Sequence, residues 1–133
     1  MSAGVLAGRH RIGKVFRFEA AHFLPGLPDG HQCARMHGHS YTVEFVLTAD
    51  RLVEPGFVTD FGDLAPVKAM IDSTLDHRVL NEVLPSAPTS ENLAAWFAGW
   101  FVEHVEPGLP GRLAAVRVSE TASSWAEFQV GER

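Results

Sequence analysis

His37-Gly38-His39 sets two imidazoles two residues apart. In a strand, residues i and i+2 project from one face, so both rings would converge on one point, and Gly38 leaves the opposite face free of bulk. A third histidine, His22, closes another alternating segment, Lys14 to His22. There Phe16, Phe18, Ala20 and His22 share one face, and Arg17 and Glu19 share the other. His37, His39, Tyr41, Val43, Phe45 and Leu47 alternate in the same way. Suppose the two segments pair antiparallel with His22 opposite His37 or His39. The same register then sets Phe18 opposite Tyr41 or Val43, and Phe16 opposite Val43 or Phe45. One register thus gathers three imidazoles and aligns the aromatic core.

Three neutral imidazoles suit zinc best among the divalent transition metals. They leave a fourth coordination position open, which is the catalytic pattern; a structural zinc site would need four protein ligands. The competing reading has each histidine in an ordinary structural hydrogen bond. It is the better one for any lone histidine and the weaker one for three that converge in a single register.

The elements that must hold these rings read in order as two strands, two helices and two strands. Pro25-Gly26-Leu27-Pro28-Asp29-Gly30 is a turn-rich loop between the first two. A helix is predicted from Asp60–Asp63 to about Leu75, capped by Asp60 or Asp63, with Pro66 in or near its first turn. Leu64, Val67, Ile71 and Leu75 form its apolar stripe. A second helix is predicted from Thr89 or Ser90, with the stripe Leu93, Trp96, Phe97 and Trp100, read as core. Strands at Leu113 to Glu120 and Trp125 to Val130 follow. The fold class is α+β: an antiparallel sheet with two helices packed on one face. Its other face needs cover, for which association of subunits is the natural source in so short a chain.

The chain has 133 residues, 46% hydrophobic and 20% charged, the composition of one globular domain. The formal net charge of −5 argues against a broad nucleic-acid surface. No apolar run approaches the roughly 20 residues that span a bilayer, and residues 1–13 lack the apolar stretch of a signal peptide. That segment is expected to be a flexible N-terminus. The single cysteine, Cys33, fits a reducing, cytoplasmic setting.

These residues also carry a resemblance. Phe18-Glu19-Ala20-Ala21-His22 and Cys33-Ala34-Arg35-Met36-His37-Gly38-His39-Ser40-Tyr41 resemble the 6-pyruvoyltetrahydropterin synthase superfamily. So do Val58-Thr59-Asp60-Phe61, Leu75-Asp76-His77-Arg78-Val79-Leu80-Asn81, Pro88-Thr89-Ser90-Glu91-Asn92 and Val118-Ser119-Glu120-Thr121. The Cys-x3-His-Gly-His spacing is similar to the 6-carboxytetrahydropterin synthase branch, from the 7-deazaguanine (queuosine) pathway; the pyruvoyl branch has two more residues there. The ordered set covers roughly residues 14 to 130.

The resemblance implies a tunnelling fold, β-β-α-α-β-β, whose subunits close into a barrel with active sites near their interfaces. It implies a zinc-dependent carbon–carbon lyase converting 7,8-dihydroneopterin triphosphate to 6-carboxytetrahydropterin, acetaldehyde and triphosphate. A pyruvoyl-type synthase or a dihydroneopterin retro-aldol enzyme is the alternative. A zinc- and pterin-binding protein without turnover is the next. By resemblance Cys33 is the general base, Asp76 and His77 form a second proton-transfer unit, and Glu120 anchors the pterin and joins the proton relay. Glu120 shares a strand face with Val116 and Val118, where a carboxylate needs a partner; a pterin's 2-amino and ring N–H groups match its two oxygens. Thr89 and Ser90 are further pterin contacts, although a helix N-cap explains them as well. Lys14 and Arg17, which flank the first strand, are the leading candidates for the triphosphate, ahead of Arg35 and Arg78.

Overall fold

The computed structural model describes residues 6–133. Two long strands, β1 (His10–His22) and β2 (His37–Ala49), pair antiparallel along their whole length. The helix α1 (Ala65–Thr74) follows, then a two-residue strand β3 (Arg78–Val79) and the helix α2 (Ser90–His104). The strands β4 (Arg112–Thr121) and β5 (Ser124–Gln129) complete a five-stranded sheet in the order β3-β1-β2-β4-β5.

The pleat sorts the side chains. Phe16, Phe18, Ala20 and His22 of β1, with Tyr41, Val43, Phe45 and Leu47 of β2, are buried, while Val15, Arg17 and Glu19 are exposed. The buried face carries the helices. Val67 and Ile71 of α1, and Leu93, Ala94, Phe97, Ala98 and Phe101 of α2, join the same core cluster. Phe45 packs on both Phe97 and Phe101, with ring centroids 5.6 and 5.1 Å apart. Burial of such aromatic area dominates the energetics of a domain this small.

The register is one of the two expected. His22 lies opposite His37, Phe18 opposite Tyr41 and Phe16 opposite Val43. The first helix is capped by Asp60, whose carboxylate accepts from the Gly62 N–H, but its first turn, Phe61–Leu64, is 3-10. The α-helix proper begins at Ala65, with Pro66 in its first turn. The stripe Leu64, Val67, Ile71 and Leu75 is fully buried.

The structure corrects three expectations. β1 begins at His10, so residues 10–13 are strand rather than flexible terminus, although their side chains are mostly exposed; residues 1–5 lie outside the described residues. In α2 the core face is Leu93, Ala94, Phe97, Ala98 and Phe101, and Trp96 and Trp100 sit half-buried at its margin. Two indoles are too bulky for the centre of a face that presses on the sheet, where alanines allow close approach. The sheet is not wholly antiparallel, because β3 pairs parallel with Ala20 and Ala21. It is also open: among the described residues, β1 from His10 to Glu19 and the whole of β5 have no strand on their outer sides.

Candidate metal centre

The histidine cluster sits where β1 ends and β2 begins. Antiparallel pairing of His22 with His37, and the two-residue step to His39, bring three ring nitrogens within 4.8 Å of one another. His22 is fully buried; His37 and His39 are partly so. The rings stand nearly perpendicular to one another, with centroids 4.5 to 5.0 Å apart.

Hydrogen bonds to the outer nitrogens fix the tautomers. His22 Nδ1 lies 2.8 Å from the Pro88 carbonyl and 3.1 Å from the Tyr41 hydroxyl. His37 Nδ1 lies 2.7 Å from the Arg35 carbonyl. A carbonyl only accepts, so each Nδ1 carries the proton and each Nε2 is left with a bare lone pair. Yet His22 Nε2 and His37 Nε2 approach to 2.9 Å. Two lone pairs that close repel unless a cation or a proton lies between them. Nε2 of His39 is buried with no hydrogen-bond partner. Burial, chiefly, holds His39 below the usual histidine pKa, Glu120 opposes that, and His22 and His37 reinforce it. Two imidazoles with Nε2 turned inward and Nδ1 held by carbonyls, beside a third whose buried Nε2 has no hydrogen-bond partner, suit a divalent transition metal. The cluster could hold a metal ion.

Glu120 stands beside the rings. Its Oε1 is 3.9 Å from His22 Nε2 and its Oε2 is 3.6 Å from His39 Nε2. The expected face holds: Val118 and Val116 pair with Val43 and Phe45, and Glu120 follows them towards His39. Burial, aided by Glu120, raises the pKa of Tyr41, so its hydroxyl stays neutral.

Cys33 lies in a 3-10 turn, Gln32–Ala34, half-buried. Its carbonyl accepts from the Leu24 N–H and its N–H donates to His31 Nδ1, so the loop is tied back to the end of β1. Asn81 reinforces that end, accepting from the Phe23 N–H at 3.0 Å and donating to the Phe23 carbonyl at 2.9 Å. Its side-chain amide continues the ladder one residue beyond His22.

Asp76 and His77 do face each other, with Oδ2 to Nδ1 at 2.9 Å. The pair clamps β1 at Glu19, whose N–H donates to Asp76 Oδ1 and whose carbonyl accepts from the His77 N–H. The Glu19 N–H, then His77, hold the Asp76 carboxyl below its usual range. His77 adopts φ 59°, a left-handed conformation unusual outside glycine, held by that clamp. Its side chain is 77% exposed. Among the described residues no hydrogen bond or ion pair joins Asp76 or His77 to the histidine cluster. His77 lines a groove of about 430 Å³ with Glu19, Ala21, Gly38, His39, Ser40 and Arg78.

The other candidates are dispersed. Thr89 Oγ1 accepts from the Asn92 N–H and caps α2, with Ser90 the first helical residue. Lys14 and Arg17 line a groove at the free side of β1 with Phe61 and Lys68. At roughly 3.3 Å per residue, Lys14 is about 26 Å along the strand from His22, and Arg17 about 17 Å. At those distances neither lies beside the histidines of its own chain. The carbonyls of Pro88 and Arg35, the Tyr41 hydroxyl and the Asn81 bracket were not anticipated. Backbone acceptors carry no residue-type signal, and only the inward alternation of Tyr41 pointed towards the site.

Fold and site together define an α+β protein whose sheet carries a three-imidazole cluster able to hold a metal ion. A sequence profile described as 6-pyruvoyl tetrahydropterin synthase matches residues 11–131, and the chain belongs to that family. It is 42% identical over 123 residues to 6-carboxy-5,6,7,8-tetrahydropterin synthase of Synechocystis, spanning 88% of this chain and 91% of the relative. A putative enzyme of the same name from Archaeoglobus fulgidus is 37% identical over 118 residues, 89% of this chain and 94% of that one. Among solved structures, 6-pyruvoyl tetrahydropterin synthase of Caenorhabditis elegans superposes with a TM-score of 0.78 at 24% identity, covering 93% of this chain and 97% of that one. An uncharacterized Wolinella succinogenes protein superposes at 0.82 with 22% identity, covering 92% and 99%.

Proposed function

We propose that the protein is a zinc-dependent lyase that converts 7,8-dihydroneopterin triphosphate and water to 6-carboxy-5,6,7,8-tetrahydropterin, acetaldehyde and triphosphate. The observation that carries this reading is the 42% identity, over nearly all of both chains, to a protein named for that product. The bare Nε2 atoms of His22 and His37, the unpartnered Nε2 of His39 and the Cys33-x3-His37 spacing support it.

When bound, the metal supplies Lewis acidity towards the oxygens of the substrate side chain. The chain's own residues supply the rest. Glu120 accepts the 2-amino and ring N–H donors of the pterin and orients it. Cys33, on the loop tied to the end of β1, takes a proton from the side chain as general base. Asp76 holds the His77 ring in one orientation, so His77 delivers or removes a proton at the distal end. Thr89 is occupied as a cap, so its part in pterin binding would come through its backbone, and that of Ser90 through the first turn of α2.

His77 points to solvent, and Lys14 and Arg17 are distant from the same chain's histidines. These residues would act in a site completed by another copy of the chain. The unpaired outer sides of β1 and β5 give two copies the means to join sheets. A homo-oligomer with sites near its interfaces follows, closed as a barrel. Among the described residues no helix is long and apolar enough to cross a membrane, and the net charge of −5 argues against a broad nucleic-acid surface. With Cys33 as a thiol, we assign the protein to the cytoplasm.

A second reading, a pyruvoyl-type synthase, draws on the family profile's own description. Mass spectrometry of the products from metal-loaded protein and 7,8-dihydroneopterin triphosphate separates the two. Carboxypterin with acetaldehyde supports the lyase; a pyruvoyl product replaces it with the second reading.

A further inference from the structure

Glu120 has an unusual set of neighbours. Its side chain is only 25% exposed, and both its oxygens face ring nitrogens, at 3.9 Å from His22 and 3.6 Å from His39. Among the described residues, no N–H or O–H group donates a hydrogen bond to it. The hydrogen bond from His22 Nδ1 to the Pro88 carbonyl makes His22 Nε2 an acceptor. His39 Nε2 is buried and unpartnered. Towards His22 that carboxylate is an acceptor facing an acceptor. That arrangement is unfavourable by itself and becomes favourable when one cation serves both.

The spacing agrees. Ligand atoms about 2.0–2.2 Å from a tetrahedral metal stand roughly 3.3–3.6 Å from one another. The carboxylate oxygens lie at or within a few tenths of an ångström of that spacing from the two imidazoles. Three rings and one carboxylate form an N3O donor set. It would leave no open position for a substrate oxygen while Glu120 is bound.

We propose that Glu120 is a displaceable fourth ligand: its carboxylate occupies the metal held by His22, His37 and His39 when substrate is absent, and leaves it when a pterin arrives. This deepens the proposed function and rests on its metal-binding part. The released carboxylate becomes free to accept the pterin's N–H donors, so pterin binding and opening of the metal are one event. Metal and pterin then compete for the same side chain. Coupling between two ligands is reciprocal, so each weakens the other through Glu120 alone.

The test uses the full chain stripped of metal and titrated with Co²⁺, whose visible spectrum reports coordination number and donor type. Wild type, Glu120→Gln, Glu120→Ala and His22→Ala are compared, with the near-isosteric glutamine keeping the shape of the site. Loss of Glu120 is expected to weaken Co²⁺ binding by about tenfold or more and to change the visible bands. Removing even an outer-shell group commonly costs 10–100-fold. Saturating biopterin, which has the ring and a hydroxylated side chain, is expected to close the gap between wild type and the glutamine variant. Wild-type affinity and spectrum in Glu120→Gln would overturn the proposal while leaving the three-histidine site intact. A gap unchanged by biopterin would overturn displacement. Wild type that binds Co²⁺ no better than His22→Ala would overturn both the proposal and the metal reading beneath it.

Discussion

His22 and His37 meet across β1 and β2 with their Nε2 atoms 2.9 Å apart, each ring held from behind by a backbone carbonyl. The contact is repulsive for two neutral rings and stabilising around a cation. Metal should therefore stabilise the fold measurably. At a free concentration one hundred times Kd, the gain is about 2.7 kcal/mol. For a domain of this size that is a rise in Tm of several degrees. Differential scanning fluorimetry with and without chelator checks it; His39→Ala should lose the shift.

Metal affinity should fall steeply as pH drops through the histidine range. Each ring must be neutral to bind, so protons and metal compete. Burial holds His39 below the usual histidine pKa and so protects its share of the affinity at mildly acidic pH. Titrations at several pH values should show full affinity at neutral pH and loss below about pH 6.

His77 is exposed, and among the described residues no hydrogen bond or ion pair joins it to the histidine cluster of its own chain. If sites are completed between copies, Cys33→Ala and His77→Ala should each lose about a hundredfold or more in activity, the range of a lost general acid or base. A refolded mixture of the two should regain a substantial fraction, because some sites then receive both intact residues. A mixture no more active than its parts would confine each site to one chain.

Gly111 packs where a side chain has no room. A Cβ there would meet Thr59 Oγ1 at 2.7 Å and Val58 at 3.0 Å, and its N–H donates to the buried Thr59 hydroxyl. Gly111→Ala should cost about 1–3 kcal/mol, the usual cost of overpacking. The urea midpoint should fall while the metal stoichiometry stays unchanged.

Glu106 ties the C-terminus to β4, accepting from the Leu113 N–H and from both ends of the Arg133 guanidinium. Burial raises its pKa, but Arg133 and the Leu113 N–H outweigh that and hold it below the usual value of 4.5. A depressed carboxylate contributes stability that is complete above its unfolded pKa and is lost as pH falls through the folded one. Glu106→Gln should destabilise by about 1–2 kcal/mol at neutral pH, and the difference from wild type should shrink below pH 4. Denaturant unfolding across pH measures it.

Much of this was legible in the sequence because period-2 alternation is a strong signal in long paired strands. The alternation from Lys14 to His22 and from His37 to Leu47 fixed the face of His22, His37, His39 and Tyr41, and left only a choice between two registers. The helices were legible from their stripes, except that the bulk of Trp96 and Trp100 suggested a core face that Ala94 and Ala98 occupy instead. The two-residue β3 was not legible, since Arg78 and Val79 pair through the backbone where the Asp76–His77 clamp delivers them. Alternation within β4 did not show the proximity of Glu120 to His39 either, because that depends on β4 pairing with β2 in the register that sets Val118 opposite Val43.

The most direct measurement titrates metal-free protein with Zn²⁺ and follows bound metal and acetaldehyde formation from 7,8-dihydroneopterin triphosphate in the same samples. The two should rise together and saturate at one ion per chain. Acetaldehyde formed without metal, or one ion bound per chain with no acetaldehyde, would contradict the assignment of His22, His37 and His39 to the centre of a lyase.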